Sequence, residues 1–296
     1  MTTSKRHTLA TIASLLLALG MATATVLGPL LRGDITFHVS DSARLQLLGT
    51  ELVSLALAAP VALVAAILWW RNHRVAPAIA VLPAGYAVYV YTQYIVGPQY
   101  DRYPGNNEYF FPLYFALVIL GMAIVRHAWT ALRTARVAPP APAVRYTLAG
   151  LLLAFSVVIA AAWIQSIAVV LSGTTRGTTL IAYRADPTLF WVVRLMDLAL
   201  VLPAAAVAGG ALLRGAGARH GRPFALAVTG IGILLGAAVA NMALFLLLFN
   251  DVSANLVFLI VIVTWTIVTA ILYVVWLVDL ARRLGARSAP EHRETR

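Results

Sequence analysis

Eight stretches of the chain, at about 9–31, 47–70, 75–97, 109–131, 146–171, 189–213, 224–249 and 254–278, each run long enough without interruption to cross a membrane. A hydrocarbon layer of about 30 Å needs about 20 predominantly apolar residues per crossing. Each stretch must be helical, because hydrocarbon offers backbone N–H and C=O groups no other partner. The alternation over about ten residues that marks a membrane β-barrel is absent. The expected fold is therefore an all-α, polytopic bundle of about eight transmembrane helices, forming one membrane-embedded unit over residues 1–296. Composition agrees: 61% of residues are hydrophobic and 11% charged, against about a quarter charged in soluble domains. A soluble enzyme, a disordered tail and a secreted disulfide scaffold are excluded, and with no cysteine so are thiolate chemistry and thiolate metal sites.

The first stretch follows Lys5, Arg6 and His7 and contains Ala22-Thr23-Ala24, which resembles a signal-peptidase site. The apolar run continues through Val26, Leu27, Leu30 and Leu31, longer than the 7–15 residues of a signal-peptide core, so an uncleaved anchor is expected. With the N-terminus inside, 16 of the 22 basic residues fall on inner segments, as the positive-inside rule requires. Both termini are then cytoplasmic, and the protein belongs to the cytoplasmic membrane. The net charge of +11 is thus a topology signal; spread over short inner segments, it does not suit nucleic-acid binding.

No soluble domain interrupts the spans. The segment 132–145 holds Pro139, Pro140 and Pro142 and reads as a short extended spacer dividing the chain four spans to four. Two such halves would share one orientation, as parallel repeats do. The second and sixth spans give faint support, since each carries an acid and then a proline (Glu51 and Pro60; Asp197 and Pro203), although the spacings, nine and six residues, differ. Pro60, Pro83 and Pro203 are expected to kink their spans.

Ionisable groups at membrane depth are costly and usually partnered. Arg194 and Asp197, three residues apart, share a helix face, with Arg194 near the outer boundary and Asp197 a turn deeper; the plain reading is a local ion pair. Nineteen charge-free residues follow Glu51, which puts it at the outer headgroup level or facing a cavity. Eight of eleven tyrosines lie between residues 86 and 114. An aromatic belt accounts for Tyr94 to Tyr109. It does not account for Tyr86 and Tyr89, which with Gln93 share one face while Tyr91 and Tyr94 point elsewhere. Gln165, Ser166 and Asn241 fall at similar depth, and Thr264 and Thr266 flank Trp265 near mid-span. The inner halves of these spans are nearly all apolar. The pattern describes an outer polar and aromatic pocket formed by Glu51, Tyr86, Tyr89, Gln93, Gln165, Arg194, Asp197 and Asn241, sealed below.

Missing residues exclude several chemistries. The only lysine is Lys5, so a retinal Schiff base within the bundle is ruled out, and no spacing of the six histidines suggests an intramembrane metal or haem centre. There is no phosphate-binding loop and no serine-nucleophile motif. No cofactor or metal is expected, and no catalytic residue can be assigned. Three classes remain. The leading one binds or moves a small solute or ion in the outer pocket. The second is a scaffold or sensor subunit acting through its external loops, with partners the sequence does not identify. The third is an enzyme acting on a lipid-like substrate, with Asp197 or Glu51 as acid or base and Arg194 holding an anionic group.

Overall fold

In a computed structural model that describes residues 3–135, 140–173, 177–214, 221–241 and 256–286, the chain is helical throughout its apolar stretches and has no strand among the described residues. Eight helices are long and apolar enough to span a membrane, as in a multi-pass membrane protein. The first is α1 (Thr3–Leu27). It stops short of residue 31 because Gly28 and Pro29 break the ladder, and the Leu30 amide donates instead to Glu51 Oε2 at 2.8 Å. The second span joins α2 (Asp41–Val53), capped by the Ser40 hydroxyl, to α3 (Ala59–Trp70) through a π-helical turn at Ser54–Ala58. The third is α4 (Ala76–Val96), and the fourth is α5 (Phe111–Thr134) behind a 3-10 turn at Asn107–Phe110.

The fifth span is α6 (Pro142–Leu171). A short helix, α7 (Thr178–Ala185), leads to the sixth span, where α8 (Pro187–Met196) joins α9 (Leu202–Leu213) through a second π turn, Asp197–Val201. The seventh is α10 (Gly221–Asn241) and the eighth is α11 (Leu256–Ala286). Prolines in the first turns of α4, α5, α6 and α8 fit their starts, where the missing N–H has no intrahelical partner to lose. Of the proline-rich spacer, residues 136–139 lie outside the described residues, and Pro142 opens α6.

Each group of four spans packs in the same order. α1 lies on α3, α3 on α4, α4 on α5, and α5 returns to α1; likewise α6 lies on α9, α9 on α10, α10 on α11, and α11 returns to α6. The groups meet chiefly where α10 crosses α4 and α5. The two π turns also correspond at a constant offset of 143 residues: Ser54–Ala58 with Asp197–Val201, α3 with α9, Pro60 with Pro203, and the terminal Arg71 with Arg214. In this register residues 51–71 and 194–214 share nine identities, including Leu55-Ala56-Leu57 with Leu198-Ala199-Leu200. Glu51 therefore corresponds to Arg194, and Ser54 to Asp197, which removes the nine-against-six mismatch of the acid–proline spacings. In each case the π turn closes two residues before a proline that has no N–H to give, so the widened turn sits where the α-ladder would break.

The crossing of α10 and α4 is built on small residues. A Cβ at Gly236 would meet the Tyr86 amide nitrogen at 2.6 Å and the Leu82 carbonyl at 2.8 Å, and one at Gly85 would meet Ile233 Cα at 3.1 Å. Gly232 and Gly236 form the G-x-x-x-G spacing that lets two helix backbones approach closely. Gly236→Ala is expected to lower stability by about 1–3 kcal/mol, since backbone on α4 cannot rotate away as a side chain can. Gly150→Ala, with nothing within 4 Å of the added methyl, should be neutral or stabilising by up to about 1 kcal/mol. Thermal unfolding of the purified variants in one detergent checks the contrast.

Candidate functional site

Above this crossing, at the end of the bundle remote from both termini, α2, α4 and α8 diverge around a cavity of about 240 Å³. Its walls carry Ser42, Gln46 and Thr50 from α2, Tyr89, Gln93 and Tyr94 from α4, Trp163 from α6, Phe190 and Arg194 from α8, and Ala240 from α10. Phe37, Val39 and Asp186 contribute from the connecting segments.

Behind the wall formed by Tyr89 and Trp163 lies a hydrogen-bonded carboxylate. Asp197, 5% exposed, accepts the Tyr89 hydroxyl at 2.9 Å on Oδ1 and the Trp163 indole N–H at 2.8 Å on Oδ2. Placing a lone charge at a helix centre costs about 2.5–3.5 kcal/mol on the insertion scale, and two donors fixed by other helices offset much of that. Asp197 opens the π turn, and its amide is shared between the carbonyls of Val193 and Arg194. Arg194 does not close on it. Among the described residues the ion pairs within 4 Å are Arg32 with Asp34 and His38 with Glu108, so the expected Arg194–Asp197 pair is not formed. The guanidinium points instead toward the bundle end, 4.5 Å from the Trp163 ring centroid and 3.2 Å from that of Phe190. Its Nε donates to Ser166 Oγ at 3.0 Å and its Nη1 to the Phe190 carbonyl at 3.0 Å.

Gln93 and Tyr94, which both line the cavity, each carry a buried polar atom with no hydrogen-bond partner among the described residues, Nε2 and the hydroxyl respectively. Tyr94 is only 5% exposed and packs edge-on against Phe37, Tyr91 and Tyr114. A buried polar group without a partner is uncommon in a native fold, and such atoms in a cavity wall are available to a water or a ligand.

The residues expected to form one pocket thus separate. Tyr89, Gln93 and Arg194 line the cavity, and Asp197 lies directly behind Tyr89 and Trp163. Tyr86, fully buried, sits below it, its hydroxyl 2.7 Å from Ser54 Oγ and donating to the Thr50 carbonyl at 2.8 Å. Glu51 turns away from the cavity to hold the Leu30 amide, packed against Gly28. Gln165 is exposed on the outside of α6. Asn241 ends α10, and its side chain lies outside the described residues. On α11, Thr264 is exposed and Thr266 buried, while the Trp265 indole donates to the Leu151 carbonyl at 2.8 Å. Tyr94 was assigned to an interfacial belt by its position near the helix end, yet it is buried; Tyr109, 79% exposed, suits a belt position.

Trp163 and Phe190 are not singled out by the sequence, because an apolar or aromatic residue in an apolar run carries no signal of which helix faces it. The connecting segments are closely joined. Asn106 bonds the 34–36 segment through its side-chain oxygen and nitrogen, the Asn107 amide reaches the Tyr94 carbonyl, and Ser40 donates its amide and hydroxyl to Asp186. The Tyr103 hydroxyl and the Arg102 guanidinium donate to the carbonyls of Ala185 and Arg184. The chain matches no protein-family model, no curated protein and no solved structure.

Removing the Tyr89 hydroxyl withdraws one of the two donors from Asp197. Tyr89→Phe should lower stability by about 1.5–3 kcal/mol, the worth of a hydrogen bond to a charged group. In an Asp197→Ala background the same change should cost clearly less. A double-mutant cycle read by thermal unfolding measures the difference.

Proposed function

We propose that this chain is a multi-pass protein of the cytoplasmic membrane, with both termini inside, whose cavity opens outward and binds a small solute. One observation carries the reading. A half-buried arginine with no carboxylate of the described residues within 4 Å lines the same cavity as Gln93 and Tyr94, whose buried Nε2 and hydroxyl have no hydrogen-bond partner among the described residues. An apolar pocket with a few convergent polar groups is the usual form of a small-ligand site.

Movement of the solute follows from the same architecture. The four-span halves, with their equal packing order and π turns at a constant offset, are read as a parallel duplication whose members rock about the α4–α10 crossing. α4 is the hinge element, because it sends Tyr86 to the first π turn and Tyr89 to the second. The scaffold reading has less support, since Arg102, Tyr103, Asn106 and Asn107 direct their polar groups to neighbouring segments. The enzyme reading has less support from its two named candidates, as both oxygens of Asp197 already accept hydrogen bonds and Glu51 faces away.

The test is a thermal-shift screen of the purified protein against ions, polar solutes and amphiphiles. A ligand at a hundred times its Kd should stabilise the wild type by about 2.7 kcal/mol if it binds only the folded state. Gln93→Leu should abolish that shift and Glu51→Gln should preserve it. If the variants respond alike, or no compound shifts the wild type, the cavity is not a ligand site.

A further inference from the structure

Arg194 belongs to two concavities. Besides the polar cavity, it lines a groove of about 520 Å³ on the outside of the bundle, whose other walls are Ile167, Trp191, Val192, Leu195, Leu198 and Ala199. It is the single residue common to the two linings. The groove is apolar except for this guanidinium, and Ile167 on α6 and Leu195 on α8 put it at the seam of the fifth and sixth spans. Leu195, 66% exposed, shows that the groove faces the surroundings of the bundle. For a chain with eight spanning helices those surroundings are lipid.

We infer that the ligand of this site is an amphiphile with an anionic, phosphate-type headgroup, its chain lying in the α6–α8 groove and its headgroup held by Arg194 at the cavity mouth. The inference rests on the reading of the cavity as a ligand site and names its substrate class. Charge complementarity selects the headgroup. Among the described residues neither nearby carboxylate forms an ion pair with the guanidinium within 4 Å: Asp197 accepts from Tyr89 and Trp163, and Asp186 from the amide and hydroxyl of Ser40. Nε and Nη1 of Arg194 are used within the protein, and Nη2 makes no hydrogen bond to a described residue. The planar guanidinium is held between Trp163 and Phe190, so its remaining donors keep one direction and suit the oxygens of a phosphate. Beyond the arginine, Gln93 Nε2 and the Tyr94 hydroxyl offer buried hydrogen-bonding groups to the rest of the headgroup. The apolar walls suit a hydrocarbon chain and nothing charged. Entry is lateral, from the leaflet, because the groove opens on the lipid-facing surface.

The experiment titrates the full-length protein, held in phosphatidylcholine nanodiscs, with dodecyl phosphate, inorganic phosphate and dodecyltrimethylammonium, reading the thermal shift. Dodecyl phosphate should bind at least about tenfold tighter than inorganic phosphate, because only it buries a chain, and the cationic amphiphile should give no shift. Arg194→Gln should weaken dodecyl phosphate by about tenfold or more, the loss of a charge-assisted contact. Ala199→Phe fills the exposed groove without entering the bundle; it should weaken dodecyl phosphate similarly, leave inorganic phosphate unchanged, and carry the test if Arg194→Gln does not fold. Equal binding of the two phosphates with a silent Ala199→Phe would overturn the amphiphile and leave a free-anion site. So would wild-type affinity in Arg194→Gln. If neither phosphate binds while another solute gives a Gln93-dependent shift, the amphiphile falls and the cavity reading stands. If no compound of any class shifts the protein, both fall.

Discussion

A polar group between apolar helices can pair only with another part of the protein, and the arrangement of this bundle follows from that constraint. Its deep polar side chains act as ties between spans. Asp197 draws Tyr89 from α4 and Trp163 from α6; Ser54 draws Tyr86. Trp265 ties α11 to α6 through the Leu151 carbonyl, and the Tyr273 hydroxyl reaches the Ala78 carbonyl on α4. α4 recurs in these ties and also carries Gly85 into the crossing with α10. It is the element on which both four-span groups bear.

The π turns give this arrangement its local form. A proline in mid-span removes a donor from the ladder, and a residue of extra circumference ahead of it changes the face on which later side chains emerge. In the sixth span that turn begins at Asp197, so the neighbouring Arg194, three residues earlier, is free to lie among Trp163 and Phe190 instead of on the carboxylate. In the second span the corresponding residues are Glu51 and Ser54. There the charged member caps the turn after α1 and the hydroxyl binds Tyr86. The same backbone device therefore carries different chemistry in the two halves, and only the second faces a cavity with its cation.

Close packing and open volume are divided by depth. Glycines of α10 bring backbone against backbone at mid-span, and the cavity appears where α2, α4 and α8 diverge toward the connecting segments. The join of the 34–40, 97–110 and 178–186 segments holds that divergence in place, through Asn106, Asn107, Tyr103 and the Ser40–Asp186 bonds. Such a bundle is close-packed at the α4–α10 crossing and, above it, has a cavity whose side chains come from several helices at once.

The eight helices were legible because span length and backbone hydrogen bonding are properties of a continuous stretch of chain; their ends were less so, since the first stops at Leu27 and the eighth runs on to Ala286, while residues 242–249 and 254–255 of the expected spans lie outside the described residues. Pro60 and Pro203 marked real interruptions, each following a π turn, whereas Pro83 lies within the continuous helix α4 and Pro29, inside the expected first span, lies just past the end of α1. The place of Asp197 along its helix, three residues after Arg194, was also visible. Which residue meets which was not. Glu51 and Asp197 look alike in sequence, yet one meets a backbone amide of the α1 turn and the other two side chains from separate spans. Gln165 and Gln93 look alike too, and one faces outward while the other lines the cavity. In an apolar helix the usual contrast between a polar outer face and an apolar inner one is lost, because lipid and protein interior select the same side chains. The sequence by itself therefore determined the helices, their number and the position of each polar group along its span. Helix rotation, the partner of each buried polar atom and the separation of Arg194 from Asp197 were decided by packing between spans, where small residues and interhelical hydrogen bonds leave one fit.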